Sequence, residues 1–368
     1  MELESPERQP SKYLKIVISL REGIQSGRYR SGARLPSEAE LVRKFGVSRM
    51  TVVKALRHLQ QEGALTRRGG SGSYVAEPKD GKSRVFGLII PDLGGTEIFE
   101  PICKGMAASP IDSGHSLSWG RSISSDANKE DAAVQLCQHY IEQNVSGVFF
   151  APLEFAPQRD TVNRKVLREL KNAHIPVVLL DRCVLEYPER SEYDLVCLDN
   201  RRAGFIMTDH LIQMGARRIG FLAVPSAAET VGDRITGYRE ALIRSGYALN
   251  DDLILRVQPD DVEGVGSALR SQKIDALMCA NDHTAARVMQ TLLQLGVKIP
   301  DDLRITGVDD VRYAELLPVP LTTFRQPCFD LGATAISAML DRIRNPHLPP
   351  RSILLNGQLI VRRSCGSV

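Results

Sequence analysis

Along this 368-residue chain the spacing of hydrophobic positions changes, and the changes divide it. Near the amino terminus Tyr13, Val17, Leu20 and Ile24 recur at helical intervals, which predicts an amphipathic helix ending near Gly27. Ser37 and Glu40 stand at capping-box spacing, so a short second helix begins there and closes at Phe45-Gly46, where glycine accepts the left-handed conformation of a helix end. Ser48 is then the N-cap of a third helix. In it Val52, Ala55, Leu56 and Leu59 form an inward stripe, leaving Arg49, Val53 and Arg57 outside with Met50 and Lys54 beside them. Two apolar stretches, Ala64-Leu65-Thr66 and Ser73-Tyr74-Val75, flank the basic, glycine-rich segment Arg67-Arg68-Gly69-Gly70-Ser71-Gly72. That is a two-stranded ribbon with a tip able to approach phosphates or a minor groove. Three helices and a ribbon make a winged helix-turn-helix over 8–77.

After a polar linker, 78–84, the pattern becomes short apolar runs without polar alternation at 85–90, 147–150, 177–180, 195–198, 219–222, 276–279 and 305–308. Amphipathic segments at 200–215, 232–245, 282–295 and 329–343 separate them. Strands of that kind belong to parallel sheets covered on both faces, and 85–368 has room for two doubly wound lobes. We expect an α/β architecture with lobe 1 built from about 85–198 plus 321–345 and lobe 2 from about 199–320 plus 346–368. Ligands of such folds sit at the carboxyl ends of strands. The residues there are 92–99, Asp181-Arg182, Asn281-Asp282 and Asp309-Asp310, with Arg234 opening a helix and Gln326 after Thr322-Thr323-Phe324. Their planar carboxylate, amide and guanidinium groups suit bidentate hydrogen bonds to vicinal hydroxyls. Asn281 and Asp309 could equally be helix caps.

Composition narrows the class. With 43% hydrophobic and 25% charged residues the chain is an ordinary globular protein, and no apolar run approaches the roughly 20 residues of a membrane helix. The acidic start lacks a signal-peptide core, so a cytoplasmic location is expected. Seven scattered cysteines without a Cys-x-x-Cys pair, and histidines without an i, i+4 pair, predict neither a disulfide framework nor a metal site. No cofactor or catalytic residue is expected, because nucleophile elbow, P-loop and glycine fingerprint are all missing. Charge adds an asymmetry: residues 1–80 carry 15 Lys and Arg against 9 Asp and Glu, so +6, whereas the rest carries 32 against 35, so −3. A basic module joined to an acidic body suggests nucleic-acid binding by the first.

Two resemblances sharpen this. The run Leu35-Pro36-Ser37-Glu38-x-Glu40-Leu41, then Phe45-Gly46-Val47-Ser48-Arg49-x-Thr51-Val52, Glu62-Gly63, Arg68-Gly69 and Gly72-Ser73-Tyr74-Val75 resembles the winged helix of GntR-type bacterial regulators. The resemblance implies that Ser48, Arg49 and Thr51 read DNA, that Glu38 faces the groove, and that Gly69 and Gly70 serve the wing. Lys12, Ser37, Met50 and Arg68 complete the expected DNA contacts. Ala39 and Val53 stand where many members have arginine, so the operator cannot be copied from relatives; Lys54 is either a replacement phosphate contact or a solvated lysine.

The second module resembles the effector domain of LacI-type repressors and related periplasmic sugar-binding proteins. The matching stretches include Leu198-Asp199-Asn200-x-x-Ala203-Gly204, Asp233-Arg234-x-x-Gly237-Tyr238, Ala280-Asn281-Asp282 and Gly307-Val308-Asp309-Asp310. This implies that Asp181, Arg182, Arg234, Asn281, Asp309 and Gln326 bind ligand, with Thr96, Glu97 and Phe99 closing the cleft; Phe99 could instead be core. Pro110 should kink the first helix of the lobe. Trp119 either stacks on a sugar or fills the core. Together the resemblances imply a homodimeric transcriptional regulator on palindromic double-stranded operator DNA. It would be a repressor whose affinity is changed by a pentose or hexose. A sugar phosphate, sugar acid or purine effector, or an activator, is the alternative.

Overall fold

The computed structural model describes residues 12–25, 29, 32–61, 65–68, 72–75, 84–90, 97–109, 115–120, 129–225 and 227–366. Contacts divide the chain into two units, Met1–Lys82 and Ser83–Val368.

In the first unit, helices α1 (Lys12–Gln25), α2 (Glu38–Phe45) and α3 (Arg49–Gln61) precede strands β1 (Leu65–Arg68) and β2 (Gly72–Val75). The capping box forms: Ser37 Oγ accepts from the Glu40 amide, and the Glu40 carboxylate accepts from the Ser37 amide at 2.7 Å. Gly46 ends α2 at φ 60° and donates to the Val42 carbonyl, so the turn needs a residue free of the Cβ clash. Val52, Ala55, Leu56 and Leu59 of α3 are buried with Ile16, Val17 and Leu20 of α1 and Leu41 of α2. β1 and β2 pair antiparallel from Leu65↔Val75 to Arg68↔Gly72. The segment before α2 joins them, since the Leu35 amide donates to Ser73 and the Val75 amide to Ala33.

The second unit has two parallel-dominated sheets. Its first lobe runs β3 (Arg84–Ile89), α4 (Phe99–Ala107), β4 (His115–Trp119), α5 (Lys129–Glu142), β5 (Gly147–Phe150), α6 (Arg159–Asn172), β6 (Val177–Leu180) and β7 (Asp194–Leu198). Its second lobe runs α7 (Asn200–Gln213), β8 (Ile219–Ala223), α8 (Glu229–Arg244), β9 (Ile254–Arg256), α9 (Val262–Gln272), β10 (Ala276–Cys279), α10 (Asp282–Gln294), β11 (Arg304–Asp309) and β12 (Thr322–Arg325). The chain then returns through α11 (Cys328–Arg344) and β13 (Ser352–Leu355) before β14 (Gln358–Ile360). Strand orders are β13-β7-β6-β5-β3-β4 and β14-β12-β11-β10-β8-β9; only β14 pairs antiparallel. Successive side chains of β5 explain the missing polar alternation: Phe149 enters one apolar layer, Val148 and Phe150 the opposite one.

The expected lobe composition needs correction. Residues 322–325 pair with β11 in the second lobe, not the first, and 352–355 pair with β7 in the first lobe, not the second. Of 321–345 only α11, and of the tail only β14 and the turn at Arg363–Cys365, follow the expected assignment, because the chain crosses between lobes three times: after β7, after β12 and after β13. The expected kink is also absent. α4 ends at Ala107, before Pro110, as residues preceding a proline disfavour helix; Pro110 itself lies outside the described residues.

Candidate functional site

The carboxyl ends of the strands in both lobes converge on a cavity of about 410 Å³. Glu97 and Phe99 reach it from the start of α4, Ala151 to Phe155 from the end of β5, and Asp181 and Arg182 from the end of β6. From the second lobe come Arg234 on α8, Asn281 before α10, Asp309 ending β11 and Gln326 after β12. Eight of the nine residues expected to bind ligand therefore line one cavity, and the ninth, Thr96, lies outside the described residues.

Two arginines organise the walls. Arg182 donates through Nε and Nη2 to one oxygen of Asp181 at 3.0 and 2.7 Å and pairs through Nη1 with Glu154 at 2.5 Å. Burial opposes its charge, but the two carboxylates outweigh that and hold the guanidinium protonated above its ordinary value. Arg234 donates to Asn200 at 2.8 Å and to the Ala280 carbonyl at 2.5 Å, which leaves Nη2 3.9 Å from Asp309. Its position depends on a close helix crossing: a Cβ on Gly204 of α7 would overlap the Arg234 carbonyl, and one on Gly237 of α8 the Arg201 carbonyl.

Asp309 has φ 125° and Asp310 φ 56°, so two left-handed residues in succession aim the Asp309 carboxylate at Gln326, whose Nε2 donates to it at 2.6 Å. Asp310 is gripped on both oxygens, by Arg325 at 2.6 Å and Arg362 at 2.7 Å. Burial pushes the Asp309 carboxyl above the carboxylate range; Arg234 and Gln326 oppose the shift, while Asp181 and Glu154 add to it. Asp282 behind it is raised by burial and by Asp309. Gln326 Oε1 is buried without a hydrogen-bond partner among the described residues. That orphaned acceptor calls for a donor from whatever fills the cavity.

Several expectations resolve. Asn281 caps α10, accepting from the Thr284 amide at 2.8 Å, and lines the cavity as well. Phe99 is at once core and cavity wall. Trp119 is neither: at the end of the edge strand β4 it is 56% exposed and away from the cavity. Glu154, Phe155, Lys129, His283 and Tyr313 line the cavity without having been anticipated. Glu154 follows a predicted strand and was within reach of the strand-end rule that picked out Asp181.

On the winged helix, Met50 is 76% exposed, and Arg49, 81% exposed as a side chain, is held by Glu38 at 3.0 Å. Ser48 and Thr51 hydroxyls lie 2.9 Å apart at the start of α3, and Ser37 is engaged in its capping box. Lys54 rests over the Tyr13 ring at 4.6 Å, so it is not simply solvated. The side chains of Lys12 and Arg68, and Gly69 and Gly70 entirely, lie outside the described residues.

A winged helix-turn-helix and a two-lobed cleft lined with planar polar groups, carried on one chain, define a DNA-binding transcriptional regulator with an effector domain. Residues 12–75 match the bacterial regulatory proteins of the gntR family, and residues 208–365 match the periplasmic binding protein-like domain. The chain is 28% identical to the arabinose metabolism transcriptional repressor of Geobacillus stearothermophilus across 97% of its own length and 98% of that protein's. Such full-length similarity agrees with the likeness to the bacterial arabinose repressor carried by Glu97-Ile98-Phe99-x-Pro101-Ile102 and Leu359-Ile360-Val361-Arg362-Arg363-Ser364. The ribose operon repressor of Haemophilus influenzae is 32% identical over 53% of this chain and 58% of its own. Among solved structures, the transcription regulator GntR from Chromobacterium violaceum aligns with TM-score 0.60 and 28% identity over 77% of this chain and all of its own. No described helix is long and apolar enough to cross a membrane, and no group of three or more metal-ligating side chains occurs among the described residues.

Proposed function

We propose that this regulator is a repressor whose operator affinity is set by a small neutral sugar bound in the cavity. The observation that carries the reading is the unpartnered Gln326 Oε1 beside Asp309, Arg234 and Arg182. Acceptors and donors in planar pairs match the vicinal hydroxyls of a pentose or hexose, and a hydroxyl proton would satisfy the orphaned oxygen. Charge argues the same way. The lining has carboxylates from Glu97, Glu154, Asp181 and Asp309 against cations from Lys129, Arg182 and Arg234, so a phosphate dianion would meet net repulsion.

The names of the arabinose and ribose repressors agree with this chemistry. At the other end of the chain, Ser48, Arg49, Met50 and Thr51 read bases from α3, Glu38 orients Arg49, and Lys12, Ser37, Lys54, Arg68, Gly69 and Gly70 contact the phosphates and the minor groove. The protein works as a homodimer on a palindromic operator in the cytoplasm, as a binding protein and not an enzyme.

The test is a thermal-shift screen of the full chain against pentoses, hexoses, sugar acids, sugar phosphates and purines, repeated on Gln326→Leu and Asp309→Asn. A ligand that binds only the folded state raises Tm by mass action. The expected result is a shift with a neutral sugar that both variants lose. A shift with a purine or a sugar phosphate instead would overturn the neutral-sugar reading.

A further inference from the structure

A second cavity of about 710 Å³ opens beside the first and shares Phe155, Asn281 and His283 with it. The two cavities thus adjoin along a shared wall, and the outer one adds room beside the inner. At their junction stands Phe155, 49% exposed and held at φ 53°, a conformation that bulky residues seldom adopt. An exposed aromatic face at such a point is a platform for the apolar face of a sugar ring.

The outer cavity is lined by the guanidinium groups of Arg159 and Arg287 and by Gln258. Both arginines already carry an acidic neighbour: Asp160 lies 3.5 Å from Arg159, and Asp260 lies 2.7 Å from Arg287. Each pair engages only part of its guanidinium, which keeps further N–H donors for hydroxyl oxygens. The side chains of Gln258 and His283 make no hydrogen bond among the described residues, so they too are available to a ligand.

We propose that the outer cavity is a second glycosyl subsite and that the effector is a neutral disaccharide or glycoside. The proposal rests on the sugar reading of the inner cavity. The inner ring lies among Arg182, Arg234, Asp309 and Gln326; the outer ring stacks on Phe155 and is hydrogen-bonded by Gln258 and Arg287.

Isothermal titration calorimetry on the full chain tests this, with α- and β-linked neutral disaccharides and their constituent monosaccharides as probes. The expected result is one disaccharide that binds about tenfold or more tighter than either constituent, the order of one added aromatic contact with its hydrogen bonds. Arg287→Ala and Gln258→Ala, whose side chains touch only the outer cavity, should erase most of that advantage and leave monosaccharide affinity unchanged. Phe155→Ala should weaken the disaccharide more than the monosaccharide. A monosaccharide that binds as tightly as every disaccharide overturns the proposal and leaves the sugar reading intact. A disaccharide preference untouched by all three substitutions also overturns it, and no sugar binding at all removes both readings.

Discussion

Asp309 concentrates the residue-scale physics of the cleft. Its neighbours are Arg234 and Gln326, which favour its charged form, and Asp181, Glu154 and Asp282, which oppose it; burial outweighs the favourable partners and raises its pKa above the ordinary 3.8. A carboxyl that binds its proton more tightly when folded stabilises the fold below its unfolded pKa, and that stability is lost as pH rises through the folded value. Effector binding should run the other way, because only the ionised carboxylate offers all its lone pairs to hydroxyl donors. Acidification from neutral pH should therefore weaken effector binding while the contribution of Asp309 to apo stability grows. Calorimetric Kd and apo Tm measured between pH 5 and 8 check both trends, and Asp309→Asn should flatten the binding profile. An affinity independent of pH would show that Asp309 does not accept from the ligand. At this scale most of the cleft was legible, because strand ends in doubly wound sheets point at the ligand and carry the polar residues. Lys129 and Tyr313 were not: Lys129 follows no predicted strand, Tyr313 stands a few residues beyond the strand end at 305–308, and nothing local sets either apart from surface residues.

At the scale of elements, the α7–α8 crossing bears most directly on function. Gly204 and Gly237 let the two backbones touch, and Arg234 rides on that contact into the cavity. Gly237→Ala should force the helices apart at a cost of about 1–3 kcal/mol, the usual penalty of overpacking. It should also weaken effector binding by displacing Arg234, whereas Gly246→Ala, at a left-handed helix end with open space around it, should cost stability alone. Chemical denaturation paired with effector titration separates the two outcomes. The legibility of elements followed burial. Central strands such as Val177–Leu180, covered on both faces, read as continuous apolar runs, and the caps at Ser37 and Gly46 are local chemistry. The edge strands β4 and β13 are half exposed, His115–Trp119 and Ser352–Leu355 mixing polar and apolar residues, so no run announced them. Nor does any local signal say which sheet a segment joins, which is why 322–325 and 352–355 lie in the opposite lobes from those expected.

For the whole molecule, the charge imbalance between the first 80 residues and the rest already separated a DNA-binding module from an effector-binding body. Their coupling is thermodynamic before it is geometric: if the effector lowers operator affinity by some factor, operator DNA must lower effector affinity by the same factor. Within the effector domain the lobes meet at the cavity edge, where the Arg312 amide donates to the Glu97 carboxylate at 2.9 Å. A ligand that changes how often such contacts form has the differential affinity that a population shift requires. The double substitution Ser48→Ala, Arg49→Ala tests whether the two functions are separable. It removes a hydroxyl and a guanidinium from an exposed helix start, leaves the cleft untouched, and should abolish sequence-specific binding while effector Kd stays within about twofold. Residual DNA binding should become nonspecific and fall steeply with salt, because the remaining contacts are to phosphates. Operator DNA added to this variant should no longer alter effector affinity, which fluorescence anisotropy and calorimetry on the same samples would read. Loss of effector binding along with operator binding would mean that α3 and the cleft belong to one cooperative unit, and the two-module account of this chain would fail.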